Sequence, residues 1–156
     1  MKRHHRSGFT VVELLAVMIV IGILASMMVM RYHDLKDRAI AVQATSAMDN
    51  VKMAAYSRFY ETGEWPQAGG SGVVPPELVP YLGVGFSFQK PAYTLEFENF
   101  VPPGGGPSAG YQIAVKVTIT DPKLRATIVR AMGGRIPYMV LGDDIAMILV
   151  GPGGQT

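Results

Sequence analysis

The chain has 156 residues, which is enough for one domain of ordinary size with a modest core. Hydrophobic residues make up 49% and charged residues 17%, an apolar balance that is typical of a chain with a membrane segment. The sequence contains no cysteine, which excludes a thiol nucleophile, a cysteine-ligated metal and a disulfide.

The formal net charge of +2 comes from the N-terminus. Lys2, Arg3 and Arg6 precede residue 9, and no acidic side chain does. Without residues 1–8, the remaining 11 basic side chains face 12 acidic ones. Because the rest of the chain is close to neutral, we expect no general binding of nucleic acid.

Residues 9–30 form a long apolar run, FTVVELLAVMIVIGILASMMVM, in which Glu13 is the one charged side chain. As a helix this run would be roughly 33 Å long, which matches a bilayer hydrocarbon core of about 30 Å. A buried core helix and an ordinary secretory signal are the alternatives. The run lacks the polar face of the first and exceeds the length of the second.

The orientation of this segment is less strongly marked. Three Lys or Arg side chains lie before it and three follow it by residue 38, so the positive-inside comparison is a tie. The N-terminal amine with His4 and His5 favours a cytoplasmic N-terminus.

Residues 7–13 read Ser-Gly-Phe-Thr-Val-Val-Glu and follow a short basic stretch. This combination resembles the prepilin leader of the type IV pilins and of the pseudopilins of type II secretion. The resemblance is strong over about residues 2–30, weaker over 31–66, and architectural beyond. It implies a leader 1–8 that prepilin peptidase cuts after Gly8, and a mature N-terminus at Phe9 that is N-methylated.

The resemblance also assigns a role to Glu13, which would be the fifth residue after the cut. In the family this glutamate pairs with the N-terminal amine of a neighbouring subunit during assembly. The physical cost supports a function, because a carboxylate at the centre of a membrane helix costs roughly 2.5–3.5 kcal/mol. Many family members carry a proline close to the position of Met30, and this chain does not.

Residues 31–62 are predicted to continue the helix as an amphipathic segment that ends at Gly63, with Pro66 shortly after. Apolar or small side chains recur at mostly three- and four-residue steps and predict one buried stripe. The predicted stripe contains Leu35, Ala39, Val42, Ser46, Met48, Val51, Ala55 and Phe59.

Residues 63–156 are predicted to form a globular antiparallel β head with a short helix, and residues 63–92 to be a long connection containing a helical turn near Pro75–Leu82. The predicted strands are 93–99, 111–120, 136–141 and 145–150, with a flexible loop over 101–110. Asp121 and Pro122 begin a helix that Gly133 ends. The fold class is therefore α+β, with a long N-terminal membrane-spanning helix packed on a small antiparallel sheet.

The head shows no catalytic constellation. All three histidines precede residue 34, which excludes a serine–histidine–acid triad in the head. Asp143 and Asp144 are weak candidates for calcium, since a calcium ion takes 6–8 oxygen ligands and two adjacent turn acids are usually solvated. Gly104–Gly106 lacks the features of a phosphate loop.

Trp65 with Pro66 is expected to pack at the end of the long helix. We expect no cofactor, no metal and no enzymatic activity.

Three functions remain open from the sequence. The first is a structural subunit of a type IV pilus, or of a secretion or DNA-uptake pseudopilus. The resemblance implies its partners, which are prepilin peptidase, other copies or related pilins, the inner-membrane assembly machinery and the lipid bilayer. It also implies a location in the bacterial inner membrane with a periplasmic head, and then in the fibre.

The second possible function is a minor tip subunit for adhesion or DNA uptake. The third is a membrane-anchored enzyme, which the absence of histidine and cysteine from the head disfavours.

Overall fold

The computed structural model describes residues 9–100, 105–134 and 137–154. The predicted leader 1–8, including Gly8, lies outside these ranges. Along the chain the structure contains helix α1 (Val11–Thr62), a 3-10 turn (Pro76–Leu78), β1 (Thr94–Asn99), α2 (Gly106–Ala109), β2 (Ile113–Thr118), α3 (Pro122–Met132), β3 (Tyr138–Leu141) and β4 (Asp144–Val150). The chain divides into two compact units, of which the first ends at Lys36 and the second, here called the C-terminal unit, comprises Asp37–Thr156.

The N-terminal unit consists of the first part of α1. Large apolar side chains are exposed all round it, from Val11 to Val29. Among the described residues, α1 is the one helix that is long and apolar enough to cross a membrane. The absence of proline and the near-absence of glycine explain why the helix is continuous through this stretch.

The C-terminal unit is built on a four-stranded antiparallel sheet in the order β1-β2-β4-β3. One face of the sheet carries alternating buried side chains, as its period of two requires. They form one hydrophobic cluster with α3 and with the α1 residues that lie beyond Lys36. The α+β fold class predicted from the sequence is therefore confirmed.

The buried face of α1 differs from the predicted stripe. Leu35, Ala39, Val42 and Ser46 are exposed, whereas Met48, Val51 and Ala55 are buried as expected. Alanines occupy the remaining buried positions, namely Ala41, Ala44, Ala47 and Ala54. Small side chains let the backbone of α1 approach the rest of the hydrophobic cluster closely. Close packing therefore buries the face that carries the alanines rather than the predicted face.

The connection between α1 and β1 covers the outer edge of the sheet. Gly69 N–H donates to the Phe97 carbonyl at 3.1 Å and Gly72 N–H to the Leu95 carbonyl at 2.8 Å, while Leu95 N–H donates to the Phe88 carbonyl at 2.8 Å. These bonds occupy backbone groups of β1 that would otherwise be an open edge. The segment predicted as a plain connection therefore protects the sheet.

Local signals located α3 to the residue. Asp121 accepts a hydrogen bond from the Lys123 N–H at 2.9 Å, Pro122 occupies the first turn, and Gly133 ends the helix at a φ of +60°. In its described part, the predicted loop 101–110 contains a hydrogen-bonded turn at Gly106–Ala109, in which Gly110 N–H donates to the Gly106 carbonyl at 3.0 Å and Pro107 and Ser108 have non-helical backbone angles. Gly106 is buried there, and an added Cβ would collide with the ring of Phe100.

Candidate functional site

The candidate site lies at the N-terminal end of α1, where Thr10 and Glu13 bind each other. The Glu13 carboxylate accepts from the Thr10 backbone N–H at 2.8 Å and from the Thr10 hydroxyl at 2.9 Å. The Glu13 backbone N–H donates to the Thr10 hydroxyl oxygen at 3.2 Å. This reciprocal pattern is a capping box, which satisfies backbone donors that a helix N-terminus leaves free.

The capping box fixes where the charge of Glu13 lies. Both bonds that the carboxylate accepts from Thr10 end on Oε2. In the described part of the chain, Oε1 has no hydrogen-bond partner, and it is the atom that a further donor would bind. The sequence interpretation had singled out Glu13 but not Thr10. The signal was present, since Thr-Val-Val-Glu is the spacing of a capping box.

Phe9 directly precedes this capped turn and is 78% exposed. It lies next to Thr10, so an amine on Phe9 would be one turn from the Glu13 carboxylate. Gly8, the predicted residue before the cut, is not among the described residues. The structure thus brings Phe9 and Glu13 to the same end of α1, ahead of an exposed apolar surface.

The two weak calcium candidates have other partners. Asp143 forms an ion pair with Arg125. The carboxylate of Asp144 accepts a hydrogen bond from the Thr118 hydroxyl at 2.6 Å. Within residues 9–100, 105–134 and 137–154, no group of three or more His, Cys, Asp or Glu side chains could hold a metal ion. Both acids therefore have hydrogen-bonding or ion-pair partners within the C-terminal unit.

Trp65 packs at the end of α1, as the sequence predicts. Its ring stacks on Phe59, with ring centroids 4.4 Å apart, and meets Tyr56 edge-on at 5.3 Å. The Tyr56 hydroxyl in turn donates to the Leu149 carbonyl at 3.2 Å. These contacts tie the end of the helix to β4, which is a structural role.

A polar network on the outer face of the sheet was not predicted. The ammonium of Lys116 lies 2.7 Å from Glu98 and 2.9 Å from Glu96, and the Tyr111 hydroxyl donates to Glu98. Two effects raise the pKa of Tyr111: burial, which is the larger, and the hydrogen bond to Glu98. Burial by itself would lower the pKa of Lys116, but the hydrogen bonds and charges of Glu98 and Glu96 outweigh it and raise that pKa.

This network joins two strands, since Glu96 pairs with Lys116 and Glu98 with Ala114 across β1 and β2. Period-two alternation along the strand would put Tyr111 on the same face as Ile113, but in the structure Tyr111 packs with Ala114 and Ala146 beside Glu98. The register that brings these side chains together is a long-range property. The buried Glu98 is compensated by Lys116 and Tyr111, as a buried carboxylate must be.

Residues 3–29 match the prokaryotic N-terminal methylation motif. The chain is 32% identical over 71 residues to the type IV major pilin protein PilE1 of Neisseria gonorrhoeae, covering 46% of this chain and 33% of that protein. It is 34% identical over 61 residues to a fimbrial protein of Neisseria meningitidis serogroup B, covering 39% of this chain and 36% of the relative.

The chain thus spans about a third of the length of these two relatives. No solved structure gives a significant match. The matched N-terminal motif, the similarity to curated pilins, the exposed apolar helix and the α+β architecture together support a type IV pilin family member.

Proposed function

We propose that this chain is a structural subunit of a type IV pilus or a related pseudopilus. It is made as a precursor, cut by prepilin peptidase after Gly8, and N-methylated on Phe9. Before assembly the subunit is inserted in the inner membrane, with its N-terminus in the cytoplasm and its C-terminal unit in the periplasm. It then assembles through α1 into a helical fibre.

The observation that carries the proposal is the position of the Glu13 charge. The carboxylate is anchored by Thr10 at the start of a helix whose following side chains are apolar and exposed. An unpaired carboxylate in such surroundings is costly, whereas a carboxylate paired with an amine is tolerated. Cutting after Gly8 creates an amine on Phe9, so a neighbouring copy supplies the missing partner.

The exposed apolar surface of residues 11–29 supports the same assembly. A continuous apolar surface of this size is not stable in water and needs lipid or other copies of the helix around it. The bilayer fills this need before assembly, and neighbouring α1 helices fill it in a fibre. The names of the relatives favour a pilus over a secretion pseudopilus.

The test compares Glu13→Gln with Glu13→Ala, each as the sole subunit in a host carrying the assembly machinery. Glutamine retains a capping-box acceptor but has no charge. We expect both variants to reduce the yield of sheared fibres by at least about tenfold, the effect of losing roughly 1.4 kcal/mol of pairing free energy. Normal fibre yield from Glu13→Gln would contradict the charge role, and normal yield from Glu13→Ala would contradict the proposed assembly.

A further inference from the structure

A groove on the C-terminal unit runs between α1 and α3 and carries two arginines that form no ion pair with the described residues. Its volume is about 390 Å³. This basic groove is lined by Arg38, Ala41, Val42, Thr127, Arg130 and Ala131. The recorded ion pairs in the described part of the chain use Lys116 and Arg125 as cations, and neither Arg38 nor Arg130 takes part.

The floor of the basic groove is small and apolar. Ala41 is buried, while Val42 is 65% exposed beside it. No acidic residue is among the described residues that line the groove, although Asp37 directly precedes Arg38 in α1. A neighbouring cavity of about 280 Å³ shares Val42 and Ala131 and contains Asp49. The groove therefore offers two guanidinium groups over an apolar floor, which suits an acidic segment with an aromatic side chain.

The other end of α1 in the same unit has the complementary character. This acidic end consists of Tyr60, Glu61 and Glu64, all of them exposed. The last turn of α1 contains no basic residue, and the free carbonyls of a helix C-terminus add partial negative charge. Arg58, one turn earlier, offsets only part of this, and Glu61 accepts a hydrogen bond from the Tyr81 hydroxyl.

The basic groove and the acidic end cannot meet within one chain. From Arg38 to Glu61 the helix rises about 35 Å at roughly 1.5 Å per residue. Two different surfaces of one molecule that fit each other make a heterologous contact, and repetition of such a contact generates an open helical assembly. The occupant of the groove that the charges favour is therefore a second copy of this chain.

We propose that the acidic end of one subunit docks into the basic groove of another, with Glu64 beside Arg38 and Arg130 and the ring of Tyr60 against a guanidinium. This inference rests on the proposed function, because it names the contact between C-terminal units in the fibre. The contact is a second electrostatic interaction between subunits, in addition to the pairing at Glu13. It lies outside the apolar first part of α1 and determines which copies can be neighbours.

The first experiment uses cysteine crosslinking, which is clean because the chain has no cysteine. Val42→Cys and Glu64→Cys are combined in the full chain, and assembled fibres are oxidised. Glu64 lies two residues after Thr62, the last residue of α1. Val42 and Thr62 are about 30 Å apart along the helix, whereas a disulfide needs Cα atoms within about 7 Å. Links can then form only between copies, and we expect a ladder of multimers on a non-reducing gel.

The matched control replaces Val84, another exposed valine of the same unit, in the pair Val84→Cys with Glu64→Cys. We expect at least about tenfold fewer links than with Val42→Cys, because a disulfide forms only at close range. Equal amounts of linked species in both pairs, in fibres that do form, would overturn the docking contact and leave the proposed function intact.

The second experiment reverses charges. We expect Arg130→Glu to reduce fibre yield by about tenfold or more, since like charges face each other across the contact, and the added Glu64→Arg to restore most of it. Unchanged yield from Arg130→Glu, or no recovery in the double variant, would overturn the inference. If the unmodified chain makes no fibres in a competent host, the proposed function fails and the docking contact fails with it.

Discussion

Thr10 and Glu13 exchange three hydrogen bonds across the first turn of α1, two to the carboxylate and one to the hydroxyl. The pair does two things at once. It begins the helix directly after Phe9, and it fixes a carboxylate where an amine can reach it. The start of the helix and the charge proposed to act in assembly are therefore parts of one local structure.

Thr10→Val removes the hydroxyl from this capping box. We expect the first turn of α1 to fray, because loss of an N-cap side chain costs about 1 kcal/mol. Amide hydrogen exchange of residues 10–14 in detergent micelles measures this, and Thr10→Ser is the control that keeps the hydroxyl. Equal protection in the two variants would show that the capping bonds do not hold the turn.

The mass of the mature protein tests the cut and the modification. We expect the membrane-extracted chain to lack residues 1–8 and to carry one additional methyl group. A bulky Gly8→Leu substitution should block the cut, since a side chain there obstructs close approach of the protease. A mature chain that retains residues 1–8 would contradict processing and would favour the membrane-anchored enzyme instead.

The alanine face of α1 predicts sensitivity to larger side chains. Ala44 is fully buried, so Ala44→Leu should overpack the contact and destabilise the C-terminal unit by about 1–3 kcal/mol. Val42→Leu, on the exposed face, should change stability by less than about 0.5 kcal/mol. Thermal denaturation of the full chain in detergent, followed by near-UV circular dichroism, separates the two. Equal melting temperatures would contradict the observed helix register.

The Tyr111–Glu98–Lys116 network predicts loss of stability at alkaline pH. Folding raises the pKa of Tyr111 and the pKa of Lys116, so both groups keep their protons in the folded chain where the unfolded chain releases them. Unfolded tyrosine and lysine titrate near pH 10, so stability should fall above about pH 10, by about 1.4 kcal/mol per pH unit for each group. Below that pH this contribution is constant.

Tyr111→Phe should make this alkaline slope shallower, because one of the two groups no longer titrates. Denaturant unfolding of the full chain at a series of pH values measures the slope. The control is Tyr60→Phe, which changes a tyrosine that is 81% exposed. A slope that is the same in Tyr111→Phe and in the unmodified chain would contradict the coupling of Tyr111 to folding.

Gly133 ends α3 in the left-handed region, at a φ of +60°. Gly133→Ala should cost about 1 kcal/mol or more, because a Cβ disfavours this conformation. Gly83→Ala is a matched control, since an added Cβ there meets nothing within 4 Å and Gly83 is not among the glycines with positive φ. Equal stability of the two variants, measured by thermal unfolding, would indicate that α3 ends by another means.

The sequence predicted those features whose signals are local. Asp121, Pro122 and Gly133 located α3 to the residue, because caps act within one turn of the helix that they bound. The length of the apolar run identified the segment able to span a membrane, and residues 7–13 indicated a resemblance to the type IV pilins. Thr10 was missed although its signal lay in the same seven residues.

Features that depend on contact between distant segments needed the tertiary structure. Ala41 and Val42 are both apolar neighbours in the sequence, and only close packing against the sheet decided that Ala41 is buried and Val42 exposed. The pairing of Lys116 with Glu96 and Glu98 needed the register of β1 on β2, which no single strand contains. The amino-acid sequence by itself therefore determined the apolar membrane-length segment and the start and end of α3. Packing decided which faces are buried and which charges remain free, because burial is a property of two surfaces rather than of one.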